Sequence, residues 1–126
     1  MRHYHAILIV DDSPTSRMII QRCVEMSGIT ADAFVFAEDG LDALSTISDD
    51  RSIDLIFSDI NMPKMDGQTF IKLMRSKPET SSIPVVITSS IADGSVESEM
   101  KKLGISAVIK KPVSPEKILK VLEANS

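Results

Sequence analysis

The sequence predicts a doubly wound α/β domain built on a parallel five-stranded sheet. Five short apolar runs, rich in β-branched residues, alternate along the chain with amphipathic stretches typical of helices. The first of these runs, Ala6 to Val10, shows no alternation of apolar and polar residues, which is typical of a strand covered on both faces. Strands that alternate with crossover helices are parallel and connected in the right-handed sense.

The first strand and helix have the clearest boundaries. Ala6 to Val10 form a continuous apolar run, followed by Ser13 and Pro14, typical of an N-cap and a first helical residue. The helix is expected to end at about Ser27, before Gly28 at the C′ position. We expect its buried stripe to contain Met18, Ile19, Cys23 and Met26, with Ile20 and Val24 flanking it.

The other elements repeat this pattern. Further strands are predicted at residues 33–37, 54–58, 83–87 and 106–109. Further helices are predicted near residues 40–49, from about Phe70 to before Pro78, at about 93–103, and from Ser114-Pro115 onward. Inward-facing residues are expected to be Leu41, Leu44 and Ile47 in the second helix, Val96, Met100 and Leu103 in the fourth, and Ile118, Leu119 and Leu122 in the fifth. Five strands favour the flavodoxin-like strand order 2-1-3-4-5.

Composition excludes several classes of protein. Hydrophobic residues make up 43% and charged residues 25% of the 126 residues, and the net charge of -4 argues against a general nucleic-acid binder. The chain contains no apolar run of membrane-spanning or signal-peptide length. We therefore expect a single cytoplasmic domain over residues 1–126, with no output domain and no nucleic-acid or membrane partner.

The lone cysteine and the two histidines have ordinary structural interpretations. Cys23 has no partner for an intramolecular disulfide, and a buried apolar role is favoured over a redox role. His3 and His5 have a spacing that could bind a metal. We interpret them as exposed residues, because no cysteine or third histidine is nearby to complete a site.

Polar side chains come directly after four of the predicted strands. Asp11 and Asp12 come after the first strand, Asp59 after the third, Thr88 after the fourth and Lys111 after the fifth. In doubly wound sheets the ligand site lies beyond the carboxyl ends of the strands. We therefore expect these residues to meet at one edge. Taken singly, each could be a helix cap, a turn residue or a surface residue.

Three neighbouring carboxylates repel one another unless a cation or a proton intervenes. Mg²⁺ prefers oxygen ligands and binds through one or two carboxylates. Asp12 and Asp59 are the best candidates, with Asp11 acting directly or through water, and the backbone carbonyl of Asn61 could add an oxygen. A metal, a lysine and a hydroxyl suit a phosphoryl group, and an aspartate can accept one as an acyl phosphate.

The sequence resembles the response-regulator receiver domains of two-component signalling over essentially its whole length. The resemblance rests on Val10–Ser13, on Asp59–Gly67 with the pattern D-x-x-M-P-x-M-D-G, on Ile87–Ser90 and on Lys111-Pro112. It implies that Asp59 is the phosphoacceptor, that Asp11 and Asp12 hold Mg²⁺, that Thr88 is the switch hydroxyl and that Lys111 contacts the phosphoryl group. It also implies that Asn61 and Ser90 influence the phosphate lifetime.

One position departs from the family pattern. Receiver domains often have Tyr or Phe in the fifth strand, three residues before the lysine, and Val108 occupies that position here. The family's ring swings inward as the switch hydroxyl moves, and valine has no ring to swing. The readout is then expected to depend on the loop after Thr88 and on the fourth helix.

The resemblance implies a stand-alone response regulator, phosphorylated on Asp59 by a sensor histidine kinase or phosphotransfer protein. It would catalyse its own phosphoryl transfer and dephosphorylation without being an enzyme in the ordinary sense. The helix 4–strand 5–helix 5 face would bind a downstream partner, with chemotaxis at a flagellar motor as one candidate output. That face is mildly basic, with Lys101, Lys102, Lys110, Lys117 and Lys120 against Glu99, Glu116 and Glu123.

Alternative functions remain open. The chain could be a phosphorelay intermediate or a regulator of another protein in trans. A Mg²⁺-dependent phosphohydrolase of the haloacid dehalogenase type would need a D-x-D motif, but Asn61 stands where its second acid belongs. A flavin-binding module would need a phosphate loop after the first strand, and Asp11 and Asp12 would repel phosphate there.

Overall fold

A computed structural model describes residues 2–90 and 94–124. The strands are β1 (His3–Val10), β2 (Thr30–Ala37), β3 (Ile53–Asp59), β4 (Val85–Ser89) and β5 (Ala107–Lys110). The helices are α1 (Pro14–Met26), α2 (Gly40–Asp49), α3 (Gly67–Arg75), α4 (Gly94–Lys101) and α5 (Pro115–Ala124). Within the described residues, no helix is both long enough and apolar enough to cross a membrane.

The five strands form one parallel sheet in the order β2-β1-β3-β4-β5, which confirms the predicted fold class and strand order. Apolar clusters lie on both faces of this sheet, and Ala6 to Val10 of β1 are all buried, as the lack of alternation in that run predicted. On one face, α2, α3 and α4 pack around side chains such as Phe70 and Met100. On the other, α1 and α5 pack around side chains such as Phe57 and Ile118. Enclosing each such side chain contributes about 1.5–3 kcal/mol relative to exposure.

The buried face of α1 differs from the prediction. Met18, Ile19 and Met26 are 57%, 48% and 74% exposed, whereas Ile20, Cys23 and Val24 are buried. The helix carries two apolar stripes, and the stripe at i, i+3 and i+4 from Ile20 is the one that packs on the sheet. The burial of Cys23 confirms its predicted apolar role.

Two other predicted inward residues are also exposed. Leu41 is 49% and Leu119 is 40% exposed, because Ile47 in α2 and Ile118 and Leu122 in α5 fill the adjacent core. In α4, Met100 is buried and Leu103 just after it is half-buried, as expected. The predicted inward side chain of Val96 lies outside the described residues.

Strand boundaries moved by two or three residues. β1 and β2 begin earlier than predicted, at His3 and Thr30, where the two residues pair in register. β4 begins at Val85 rather than Ile83, because its ladder with β3 starts with the pair Ile56 and Val85. The carboxyl ends, which determine the position of the candidate site, lie within two residues of the predictions.

Candidate functional site

The carboxyl ends of four strands bring together the polar side chains singled out in the sequence. Asp11 directly follows β1, and its backbone N–H donates to the carbonyl of Ala37 at 3.1 Å. Asp59 is the last residue of β3 and lies opposite Thr88 of β4 in the ladder. Lys111 follows β5, where its N–H donates to the carbonyl of Ser89 at 2.7 Å.

The three aspartates form a compact oxygen cluster. One carboxylate oxygen from each of Asp11, Asp12 and Asp59 lies within 4.8 Å of the others. Asp11 and Asp59 are 1% and 8% exposed, whereas Asp12 is open to solvent. Oxygens bound at about 2.1 Å to one octahedral Mg²⁺ lie roughly 2.9–4.2 Å apart. The donor set therefore fits a hard divalent cation with little movement.

Lys111 supplies a positive charge inside this cluster. Its Nζ donates to Asp11 Oδ2 at 3.0 Å and to Asp59 Oδ2 at 3.3 Å. Burial by itself would lower the pKa of Lys111, but the hydrogen bonds and charges of Asp11 and Asp59 outweigh it and raise that pKa. Lys111 is therefore fully charged at neutral pH.

Asp59 is in an environment that disfavours its charge. Burial raises its pKa, and the charge of Asp11 raises it further. Lys111 and the N–H of Ile60, which donates to Asp59 Oδ1 at 2.8 Å, act in the opposite direction without fully offsetting the burial. A bound cation at the cluster would remove this imbalance, since it would neutralise the crowded carboxylates.

The hydroxyl of Thr88 is buried and unsatisfied. Thr88 is 0% exposed, and its Oγ1 has no hydrogen-bond partner among the described residues. Such a group costs about 1–3 kcal/mol in desolvation, so its presence calls for an explanation. A hydroxyl next to Asp59 in the ladder is available to a group bound at the aspartate.

Two residues that contact Asp11 were not predicted from the sequence. The Ser16 hydroxyl donates to Asp11 Oδ2 at 2.6 Å, and Arg17 donates to the Asp11 carbonyl at 2.6 Å. The N–H of Ser13 donates to Asp11 Oδ1 at 2.9 Å, and together these contacts fix the orientation of Asp11. Their position in the first turn after the Asp-Asp pair was the only available signal, and many first-turn residues have no such role.

The loop after Asp59 has a fixed backbone conformation. The N–H of Gly67 donates to the carbonyl of Ile60 at 2.8 Å, and a Cβ at Gly67 would collide with the carbonyl oxygen of Asp59. Gly40 donates to the carbonyl of Met65 at 3.1 Å, which ties this loop to the start of α2. Only glycine permits the approach at residue 67, which accounts for its place in the sequence motif.

The remaining predicted positions lie around this centre. Asn61 is an exposed residue of the same loop, and Ser90 is exposed directly after β4. Val108 lies opposite Ile87, half-buried against the cluster formed with α2, α3 and α4. A metal bond to the Asn61 carbonyl and the influence of Asn61 and Ser90 on phosphate lifetime remain predictions.

Comparison with known proteins identifies the family. The model of the response regulator receiver domain matches residues 7–123. A probable chemotaxis protein CheY of Rhizobium etli is 32% identical over 94% of this chain and 89% of that protein. The chemotaxis protein CheV3 of Helicobacter pylori is 33% identical over 95% of this chain, which spans 42% of CheV3.

Solved structures support the same assignment. The chemotaxis response regulator CheY4 of Vibrio cholerae superposes with a TM-score of 0.82 at 29% identity, covering 98% of this chain and 99% of CheY4. The match extends over the whole sheet and the edge that carries the aspartates. The chain belongs to the response-regulator receiver domains, which are signalling switches rather than enzymes.

Proposed function

We propose that this chain is a response-regulator receiver that is phosphorylated on Asp59. The observation that carries the proposal is a buried carboxylate, Asp59, 3.3 Å from the ammonium of Lys111 and within 4.8 Å of two further carboxylates. A buried nucleophile, a fixed cation and a metal-binding oxygen set are the components that phosphoryl transfer requires.

In the proposed phosphoryl transfer, Asp59 is the nucleophile. A carboxylate oxygen of Asp59 forms the new P–O bond as the bond from phosphorus to the donor breaks, and the donor keeps that electron pair. Lys111 neutralises charge on the phosphoryl oxygens. Mg²⁺, held by Asp12, Asp59 and, directly or through water, Asp11, would supply further charge neutralisation. The carbonyl of Asn61 is a candidate fourth protein ligand.

The unsatisfied hydroxyl of Thr88 provides the switch. A phosphoryl group on Asp59 adds strong acceptor oxygens beside a buried O–H that lacks a partner among the described residues. Thr88 would donate to one of them, and its movement would alter the segment after β4. Because Val108 has no ring, the signal would pass through that segment and α4 to the α4–β5–α5 face.

The proposed partners act in trans. A sensor histidine kinase or phosphotransfer protein would supply the phosphoryl group, and a downstream protein would bind the α4–β5–α5 face. The similarity to proteins called chemotaxis proteins in Rhizobium etli and Helicobacter pylori favours a chemotaxis output. A phosphorelay intermediate is the second candidate. The net charge of -4 supports a protein partner over nucleic acid.

Not every lysine of that face is equally available to a partner. Lys117 Nζ donates to the carbonyls of Lys110 and Pro112 at 3.1 and 2.9 Å, so it supports the turn after β5. Lys101 forms an exposed pair with Glu97 at 3.7 Å, a type worth about 0.3–0.5 kcal/mol. Lys102 and Lys120 are better placed to contact a partner, since both are exposed and neither side chain is held by such a contact with a described residue.

Incubation with acetyl phosphate and Mg²⁺, followed by intact-mass measurement, tests the proposal. Wild type is expected to gain one phosphoryl group, and Asp59→Asn none. Asp49→Asn, which removes an exposed carboxylate at the end of α2, is the matched control and should be labelled like wild type. Multiple turnover of para-nitrophenyl phosphate would instead favour a phosphohydrolase.

A further inference from the structure

A second cluster of metal-ligating side chains lies at the amino end of the sheet, at the edge opposite Asp59. His3 and His5 are alternate residues of β1, so their side chains are on one face. The register places His3 beside Thr30 of β2, and Asp32 lies two residues further along β2 on that same face. The fold therefore supplies the third ligand that the sequence around the histidines lacks.

The Asp32 carboxylate lies between the two imidazoles. Asp32 Oδ1 is 2.8 Å from His3 Nε2, and Asp32 Oδ2 is 3.6 Å from His5 Nδ1. Each oxygen thus faces a different ring. No similar arrangement of two histidines is possible elsewhere, because the chain has only two.

We propose that His3, His5 and Asp32 bind Zn²⁺, with water as the fourth ligand. Ligand atoms bound at about 2.0–2.1 Å to one tetrahedral zinc lie roughly 3.3 Å apart. The distance from His3 Nε2 to Asp32 Oδ1, 2.8 Å, is shorter than that separation, and the distance from His5 Nδ1 to Asp32 Oδ2, 3.6 Å, is longer. One nitrogen from each ring and one Asp32 oxygen do not all lie within 4.8 Å of one another, as the oxygens of the aspartate cluster do, so the rings must draw together around the ion. The His5 side chain, at 73% exposure, is free to turn.

Thr30 supplies the outer contact that a histidine ligand needs. Its Oγ1 is 2.7 Å from His3 Nδ1. A metal on Nε2 places the ring proton on Nδ1, from which it donates to Thr30, and such contacts orient the ligand.

The donor types separate this site from the aspartate cluster. Two imidazoles and one carboxylate suit zinc, whereas Asp11, Asp12 and Asp59 offer only oxygen and suit Mg²⁺. A zinc ion on His3, His5 and Asp32 would bridge β1 and β2 at their amino ends. It would stabilise that edge without entering the phosphoryl site.

The test is a titration of the whole chain with Zn²⁺ at pH 7.5, with millimolar Mg²⁺ present to occupy the aspartate cluster. Binding is followed by competition with a chromogenic zinc chelator and by the imidazole ¹⁵N resonances. We expect one equivalent of zinc, shifts at both histidines and a higher Tm. His3→Gln, His5→Gln and Asp32→Asn should each weaken zinc binding by about tenfold or more, and Thr30→Val by roughly tenfold.

Asp49→Asn is the control and should bind zinc like wild type, since its carboxylate is remote from the cluster. The substituted side chains are exposed, so an unchanged Tm in the absence of zinc verifies the fold of each variant. The proposal is overturned if wild type takes up no zinc, if the histidine resonances do not shift, or if the histidine and Asp32 variants bind zinc with wild-type affinity.

Discussion

At the residue scale, Asp59, the proposed phosphoacceptor, carries a cost in stability. It is 8% exposed beside a second buried carboxylate, and a single lysine is shared between the two. Burial and the charge of Asp11 raise its pKa despite that lysine. The ionised Asp59 carboxylate therefore destabilises the folded protein unless a proton or a metal ion neutralises it.

Asp59→Asn is therefore expected to raise the Tm by a few degrees at pH 7 without Mg²⁺. A carboxyl whose folded-state pKa is raised destabilises the fold above that pKa, and the penalty disappears as the pH falls through it. The gain should shrink at acidic pH and also when Mg²⁺ is added. Thermal melts from pH 7 down to 3.5 measure it, and a variant less stable than wild type at pH 7 would refute this account of Asp59.

Thr88 gives a second prediction at this scale, with Thr80 as its control. Both threonines are buried, but Thr80 Oγ1 donates to the carbonyl of Met74, whereas Thr88 Oγ1 has no partner among the described residues. Thr88→Val should stabilise the protein by about 1 kcal/mol, because it removes an unsatisfied hydroxyl. Thr80→Val should cost about 1 kcal/mol, because it removes the hydrogen bond to the Met74 carbonyl, which still accepts from the N–H of Lys77 at 3.3 Å.

Urea unfolding measures the free energy of unfolding of the Thr88→Val and Thr80→Val variants. Thr88→Val should still be phosphorylated by acetyl phosphate while losing the response of the α4–β5–α5 face. Equal losses of stability in the two variants would show that Thr88 is hydrogen-bonded like Thr80.

At the element scale, the residues at the strand ends were easier to predict than the buried faces of the helices. Asp11, Asp59 and Lys111 could be placed together because parallel strands align their carboxyl ends at one edge. The orientation of α1 could not be obtained in this way, since its two apolar stripes satisfy helical periodicity equally well. The contacts of Ser16 and Arg17 with Asp11 depend on that orientation, so they were missed for the same reason.

The exposed stripe of α1 predicts where a protein phosphodonor docks. Ile19, 48% exposed, borders a groove formed with Thr15 and with Lys111 to Val113, beside the open edge of the site. We expect a donor protein that reaches Asp59 from this side to cover the groove. Ile19→Asp should slow phosphoryl transfer from a histidine phosphotransfer domain by roughly tenfold, while labelling by acetyl phosphate stays unchanged.

Met26→Asp is the matched control, because Met26 is 74% exposed at the far end of the same helix. Single-turnover transfer from a phosphorylated donor domain that labels wild type supplies the rates. If the two variants transfer at the same rate, or if Ile19→Asp also loses labelling by acetyl phosphate, the docking assignment is wrong.

At the scale of the whole molecule, the sheet separates two polar edges. The carboxyl edge holds three carboxylates, Lys111 and the unsatisfied Thr88, and the amino edge holds the two histidines with Asp32. The residues that follow each predicted strand, together with the parallel arrangement of the strands, sufficed to predict the first edge. The second needed the β1–β2 register, because Asp32 lies far from the histidines in sequence and carries no motif that marks it as a ligand.

The most direct test of the central claim locates the phosphoryl group after labelling with acetyl phosphate and Mg²⁺. Borohydride reduces an aspartyl phosphate to homoserine, and trypsin separates a peptide of residues 52–64, with Asp59, from one of residues 3–17, with Asp11 and Asp12. We predict homoserine at position 59, identified by fragment ions that distinguish it from Asp54. Homoserine at position 11 or 12, or no label although Mg²⁺ is present, would contradict the account.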